Sequence, residues 1–235
     1  MLVKDWMSTK VITVDAGAPL SEALDLLENY HIKMLPVLRD GKLVGMVTDF
    51  DVRPFASRVP SVTMGPEFSL VLSRIRVGDI MSRSHACVPM DYTVEEVADV
   101  LLRNEIPGAI VVDDNHEIVG VITQTDINRV LVSVTGLWRG GIVFGLLLED
   151  RPGSIKELTD ILRAYGGRLA SILTSYERAP RGFRAVHIRV RKLDRSKLAD
   201  VEEELKQKAR LLYKVDQRLN TREIYDQDAH PADLG

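Results

Sequence analysis

A sequence that states itself twice constrains its fold more than composition can, because both copies must adopt one structure and find a joint core. Val3-Lys4-Asp5-Trp6-Met7-Ser8 returns as Val77-Gly78-Asp79-Ile80-Met81-Ser82, 74 positions on. Leu20, Ala23, Leu24 and Leu27 stand at the spacing of one helical face, and Val94, Val97, Ala98 and Leu101 repeat that stripe at the same offset. Pro19 suits the first turn of the first helix. Thr93 with Glu96 predicts a capping box for the second.

Each helix is followed by a β-branched run, Met34 to Leu38 and Ala109 to Val112, then a polar turn at Asp40-Gly41 or Asp114-Asn115. A second run follows, Leu43 to Thr48 and Ile118 to Thr123, so each copy predicts a hairpin. Both copies then end in Thr-x-x-Asp, Thr48 to Asp51 and Thr123 to Asp126, now 75 positions apart. The extra residue falls at the turn, where insertion is cheapest. A unit of about 55 residues buries too little surface to be secure alone, so the copies are expected to pair. The stretch from Ala56 to Ser73, with Pro60, Gly65 and Pro66, reads as a connector, with a short helix from Phe68 to Ile75.

Composition sets the class. The chain has 235 residues, of which 45% are hydrophobic and 28% charged, enough apolar surface to offset chain entropy. Its longest strongly apolar run, Ile142 to Leu148, is far short of the ~20 residues of a membrane helix. The first residues show no secretory apolar core, and the single cysteine, Cys87, fits a reducing compartment. A cytoplasmic protein with no membrane partner is expected. Residues 1–137 carry 12 basic against 19 acidic side chains, and 138–235 carry 19 against 15, which separates two modules. No dense basic tract dominates the whole, so nucleic acid is not an expected partner. Several of the basic residues from Arg178 to Lys197, Arg189 among them, fall on the outward side of a strand, where charge is expected anyway.

The doubled Asp-h-h-Met-Ser, hairpin and Gly-h-h-Thr-x-x-Asp pattern over residues 1–135 resembles a pair of cystathionine-β-synthase (CBS) domains, together a Bateman module. The resemblance implies repeat 1 at 1–56, a connector at 57–76 and repeat 2 at 77–135, with two clefts that receive adenine nucleotides. A Thr hydroxyl and the free N–H groups of a helix start can bond phosphate, and a carboxylate three residues on can accept ribose hydroxyls. By resemblance, Thr123 and Asp126 belong to one cleft, walled by Ala18, Ala23, Ile32 and Lys33. Thr48 and Asp51 belong to the other, walled by Tyr92, Val97, Ile106 and Pro107. Tyr92 can stack on a base or fill the pocket, and Lys33 can steer a phosphate or stand on the surface. Asp51 and Asp126 have a second reading as plain helix caps.

After Trp138-Arg139-Gly140-Gly141, the pattern reads strand 142–148, helix, strand 169–176, strand, helix and strand 211–215. On the third strand Val186, Ile188 and Val190 face one way, and His187, Arg189 and Arg191 the other. This βαββαβ order is ferredoxin-like. With its Asp150-Arg151-Pro152-Gly153 turn, the stretch 141–217 resembles the ACT domain, a small-molecule sensor. The fold class is therefore α/β (α+β), a tandem CBS pair followed by a ferredoxin-like ACT domain. Free N–H groups at the helix start can hold a carboxylate, and Asp150 can receive an ammonium, so Asp150, Arg151, Pro152, Gly153 and Ser154 form a candidate amino-acid site. The same residues also serve simply to shape the start of a helix. The segment 218–235 reads as a flexible tail.

No zinc-ligand spacing, phosphate loop or nucleophile motif is present in the sequence, so neither a catalytic nor a metal site is expected, and Cys87 is expected to be a buried thiol. The whole arrangement is similar to the acetoin-utilisation accessory (AcuB-like) family. A non-enzymatic regulatory homodimer is expected, with no required cofactor. Its regulatory ligand would be an adenine nucleotide (AMP, ADP, ATP or S-adenosylmethionine), with an amino acid at the second module and a still unidentified target protein. A structural adaptor that recruits an enzyme without binding small ligands is the alternative.

Overall fold

The computed structural model describes residues 1–52 and 72–225. Most of the expected connector, including the start of its short helix, lies outside them, as do residues 226–235. The chain divides into two compact units, Met1–Val130 and Leu131–Gly235.

The first unit contains the doubled pattern. Repeat 1 supplies β1 (Val14–Asp15), the helix Leu20–Asn29, β2 (Met34–Arg39) and β3 (Lys42–Thr48). Repeat 2 supplies β4 (Cys87–Pro89), the helix Val94–Arg103, β5 (Gly108–Val112) and β6 (Ile118–Thr123). Each makes a three-stranded sheet with the same order, β1-β2-β3 and β4-β5-β6, the first pair parallel and the hairpin antiparallel. Leu20, Ala23 and Leu27 are buried on one helix and Val94, Val97 and Leu101 on the other, as the spacing requires. The Thr93–Glu96 capping box forms with both hydrogen bonds. Pro19 stands one position earlier than expected, as the N-cap itself, in extended conformation. Proline offers no side-chain cap there, and the first helical N–H, that of Leu20, is satisfied instead by the Ile75 carbonyl.

The structural halves are not the sequence halves. Residues 2–8 bridge to repeat 2, through Leu2 with Thr93 and Ser8 with Val121. Residues 76–82 bridge back to repeat 1, through Arg76 with Pro19 and Ser82 with Met46. Val3 is consequently fully buried among Val88, Val97, Leu101 and Ile122, while Val77 is buried among Leu20, Leu35 and Val47. The repeat boundaries at 1–56 and 77–135 follow the chain, whereas each core borrows the other copy's opening motif. Cys87, expected to be buried, is exposed, because alternation along β4 sends Val88 inward instead.

The second unit has β7 (Ile142–Glu149), the helix Ser154–Ala164, β8 (Arg168–Ser175), β9 (Phe183–Arg191), the helix Leu198–Lys208, β10 (Arg210–Asp216) and β11 (Thr221–Ile224). Its antiparallel sheet runs β11-β10-β7-β9-β8. The first four sequential strands thus have the ferredoxin-like βαββαβ order. Phe144, Leu146, Val186, Ile188 and Val190 from the sheet meet Leu158, Leu162, Val201 and Leu205 from the helices in one core.

Two readings need correction here. Arg189, placed on the outward side of β9, is only 7% exposed: its guanidinium donates to Thr135 carbonyl (2.6 Å) and Gln217 Oε1 (2.5 Å). The expected tail begins with a strand, since β11 pairs along β10 from Thr221↔Asp216 to Ile224↔Tyr213. Lys214, buried on β10, requires counter-charges, and it takes them from Glu202 on the last helix and Glu223 on β11.

Candidate functional site

β3 and β6 each deliver a threonine to the first turn of a helix. At the end of β6, Thr123 N–H and Oγ1 donate to Asp126 Oδ2 (3.0 and 2.7 Å), and Asp126 N–H returns a bond to Thr123 Oγ1 (3.4 Å). Thr48 N–H and Oγ1 donate to Asp51 Oδ2, both at 2.7 Å. Each Thr-x-x-Asp is therefore a cap that fixes the carboxylate and hydroxyl against the helix start. Asp126 is 6% exposed, and its second oxygen, Oδ1, accepts from Arg129 Nη1 at 2.9 Å.

Thr123 and Asp126 stand on the wall of a cavity of about 450 Å³. That lies within the range typical of small-molecule sites, roughly 300–1,000 Å³. Ile32 and Lys33 line it, as expected for the wall of this cleft. Ala18 and Ala23 do not: Ala23 is fully buried with Leu20 and Leu27, and Ala18 packs against the same core while its carbonyl accepts from Val77 N–H. Pro107, assigned to the other cleft, lines this one, because its carbonyl accepts from Gln124 N–H directly after Thr123.

At the Thr48–Asp51 side, Val97 is fully buried and Ile106 packs against the repeat 2 core, so Val97 offers a base nothing. Tyr92 is 38% exposed, with its carbonyl accepting from Val3 N–H. That side borders the residues outside the described set.

Sequence reasoning missed several groups on the first cavity. Lys10 and Arg129 bring positive charge, His31 brings an imidazole, and Phe50, 63% exposed, brings an aromatic face from within the other Thr-x-x-Asp turn. Lys10 Nζ lies 5.2 Å from the Tyr30 ring centre. Their signal was weak because a lone basic residue outside a motif reads as surface.

In the second unit, Asp150, Arg151, Pro152 and Gly153 form the turn before Ser154–Ala164, with Gly153 as N-cap at φ +85°, a left-handed conformation natural to glycine. Arg151 is turned away toward Glu157 (2.7 Å), and that hydrogen bond holds the Glu157 carboxyl below its usual range. Ser154 Oγ donates to Arg151 carbonyl, closing the turn. Arg184, which sequence reasoning did not single out for this site, reaches in from β9. Its Nη2 donates to Ser154 Oγ at 3.1 Å, and its Nε stands 3.4 Å from Asp150 Oδ1. That ion pair is too poorly aligned to be a hydrogen bond, so the buried Nε has no hydrogen-bond partner. Asp150 and Arg184 thus place a carboxylate and a guanidinium together beside a helix N-terminus. Among the described residues no cluster of histidine, cysteine and carboxylate side chains could hold a metal, and no helix is long and apolar enough to cross a membrane.

The CBS domain profile matches residues 3–57 and 77–133. An L-aspartate semialdehyde sulfurtransferase of Methanocaldococcus jannaschii is 31% identical over 129 residues, 54% of this chain and 23% of that protein. An inosine-5'-monophosphate dehydrogenase of the same organism is 30% identical over 118 residues, covering 50% of this chain and 21% of the enzyme. The chain therefore spans under a quarter of the length of these two relatives. A CBS domain-containing protein of Dictyostelium discoideum is 30% identical over 136 residues, covering 57% of this chain and 93% of that one. Among solved structures, the CBS domain pair of protein MJ0100 in complex with 5'-methylthioadenosine and S-adenosyl-L-methionine is 30% identical, covering 56% of this chain and 95% of that one, with a TM-score of 0.47. CBSX2 in complex with AMP, a protein of Arabidopsis thaliana, is 26% identical, covering 57% and 98%, with a TM-score of 0.46.

Proposed function

The chain belongs to the CBS-domain family, and from that premise we propose that it is a non-catalytic regulatory protein that senses an adenine nucleotide in its first unit. One observation carries the reading: Thr123 and Asp126 are locked together at a helix start on the wall of a 450 Å³ cavity. A held carboxylate can accept ribose hydroxyls once Arg129 yields Oδ1, and Phe50 supplies a surface on which a base can stack. The AMP, 5'-methylthioadenosine and S-adenosyl-L-methionine bound by the solved relatives supply the probes.

The second unit is proposed as an ACT-like sensor for an amino acid. Its ammonium would go to Asp150, and its carboxylate to Arg184 and the helix start of Ser154–Ala164. The sheet ends at β8, whose only charged residue is Arg168, so its open edge suits pairing with a second copy in a two-fold dimer. Cytoplasmic action upon a target protein completes the proposal.

Thermal unfolding of the chain against AMP, ADP, ATP, S-adenosylmethionine and the twenty amino acids tests both sensors. A ligand that binds only the folded state at 100 times its Kd stabilises by about 2.7 kcal/mol, an easily read shift. An adenine-dependent shift abolished by Asp126→Ala supports the first sensor, and an amino-acid shift abolished by Asp150→Ala supports the second. No shift with any compound, with a stable partner protein recovered instead, would establish the adaptor reading, in which the Thr-Asp pairs are caps alone.

A further inference from the structure

A second cavity of about 460 Å³ lies in the first unit, and it shares no lining residue with the one that holds Thr123 and Asp126. The two lie at opposite ends of β2, where Met34 and Pro36 line the first and Leu38 lines the second. The walls of the second come from equivalent positions of the two repeats. Leu38 faces Leu43 across one hairpin and Val112 faces Ile118 across the other, each pair just past the same register shift, and all four line the cavity. Thr13 and Cys87, 74 positions apart, add a hydroxyl and a thiol. The cavity therefore straddles the axis that relates the repeats, between the two hairpin turns.

The repeats differ at its rim, and the difference is one of charge. Gly41 and His116 both take left-handed φ, at 75° and 62°, and the residues that follow them are Lys42 and Glu117. Asp113 holds the second turn in shape, since its Oδ1 accepts from the N–H groups of Asn115 and Glu117, both at 2.9 Å. Lys42 and Glu117 thus bring opposite charges to one cavity, yet among the described residues neither has an ion-pair partner, not even the other. Two unpaired opposite charges over an aliphatic floor complement a molecule that carries both charges beside an apolar body.

We propose that this axial cavity binds an aliphatic α-amino acid. Glu117 receives the ammonium and Lys42 the carboxylate, while Leu38, Leu43, Val112 and Ile118 receive the aliphatic chain. The volume falls within the roughly 300–1,000 Å³ of small-molecule sites. A purely anionic ligand meets repulsion from Glu117 and a purely cationic one from Lys42, so only the zwitterion satisfies both. The site is independent of the nucleotide reading and of the Asp150 turn.

Cys87, the single cysteine of the chain, is exposed on this lining and reports its occupancy. Its alkylation by iodoacetamide, a neutral reagent, is timed on the full chain with leucine, isoleucine and valine. The matching branched carboxylates and amines, isocaproate and isoamylamine in the case of leucine, each lack one of the two charges. At least one of the three amino acids should slow alkylation saturably, and its two singly charged analogues should bind roughly threefold or more weakly, the value of a partly solvated ion pair. Lys42→Gln and Glu117→Gln, both at exposed positions, should each weaken protection by a similar factor, with every rate taken relative to the same variant without ligand. Asp150→Ala should leave protection unchanged. No protection by any of the three, equal protection by the analogues, or protection that survives both glutamine substitutions would overturn the proposal. Loss of protection in Asp150→Ala would overturn it too, by tracing the effect to the second unit.

Discussion

Met81 lies across Gly45 so closely that a Cβ on Gly45 would stand 2.7 Å from its sulfur and 2.7 Å from the Ser82 carbonyl oxygen. Met7 occupies the same place over Gly120, where a Cβ would meet its sulfur at 2.6 Å. Each copy's opening motif thus closes the other copy's hairpin, and Met46 and Ser82 seal one closure with two backbone bonds of 2.9 Å. The repeated methionine and the repeated hairpin glycine are two sides of one joint.

Gly45→Ala should therefore destabilise the first unit by about 2 kcal/mol, the usual penalty for overpacking against backbone. Gly120→Ala should cost less, because its nearest backbone neighbour, the Ser8 oxygen, is 3.0 Å away and the Met7 side chain can rotate aside. Denaturant titration of both variants, alone and with Met81→Ala or Met7→Ala, checks the pairing. The Gly120→Ala and Met7→Ala effects should be non-additive by more than about 0.5 kcal/mol, as contacting residues are.

This joint also shows what the sequence could and could not disclose. Helical stripes, the Thr93–Glu96 cap and the alternation on β9 are local, so spacing alone reveals them. The exchange of opening motifs pairs residues far apart in the chain, Ser8 with Val121 and Leu2 with Thr93, and no local pattern encodes it. The cleft walls failed in a similar way. Ala23 and Val97 sit on the buried stripes that spacing had already identified, so burial should have removed them from the list of ligand contacts. Lys10 and Arg184 belong to no motif, and Phe50 fills an unspecified position of one, so all three become visible only when separate segments converge. β11 reads as tail because its residues are polar and exposed, while the reason for the strand, the buried Lys214, lies on its neighbour.

Thr123→Val should lower stability by about 1 kcal/mol, the ordinary cost of losing a cap side chain. It removes the hydroxyl that binds Asp126 Oδ2 and accepts from Asp126 N–H. Circular dichroism melts measure that loss. Titration with AMP should show a much larger proportional loss of affinity than of stability, because the carboxylate oxygen then has only the residue 123 N–H to hold it. An equal, small effect on both would mark the pair as a cap alone.

The Lys214 cluster makes a prediction in which the more drastic change is the milder one. Glu202→Ala leaves a buried ammonium with only Glu223, and it also removes a partner from Tyr225, whose hydroxyl bonds Glu202 Oε2 at 2.8 Å. A cost of about 3 kcal/mol is expected, the low end for removing one partner of a buried ion pair, because Glu223 remains. Lys214→Met, which deletes the charge and keeps the apolar stem, should cost less. Chemical denaturation of the two variants decides the order, and Glu202→Ala as the milder change would refute the account.

Asp216 governs the acid limit of the second unit. Its oxygens accept from Arg195 Nε (2.9 Å) and Nη2 (3.1 Å), and from the N–H groups of Arg218 (2.9 Å) and Leu219 (3.3 Å). The Arg195 hydrogen bond leads in holding its carboxyl below the usual range, and the two backbone donors add to it. A carboxyl depressed in the folded state contributes its full stabilisation above the unfolded value, about 3.9, and loses it as pH falls through the lower folded value. Stability of this unit should thus be insensitive to Asp216 between pH 5 and 8 and fall progressively below about pH 4. Asp216→Asn should remove about 2 kcal/mol at neutral pH, as breaking a largely buried pair does when Arg195 can still reach water. The same substitution should flatten the acid limb, because the asparagine has no proton to take up. Urea melts from pH 3 to 7 on both proteins measure this, and an acid limb equally steep in the variant would place its origin in other carboxylates, with Asp194 and Glu223, both also held low, the next to replace.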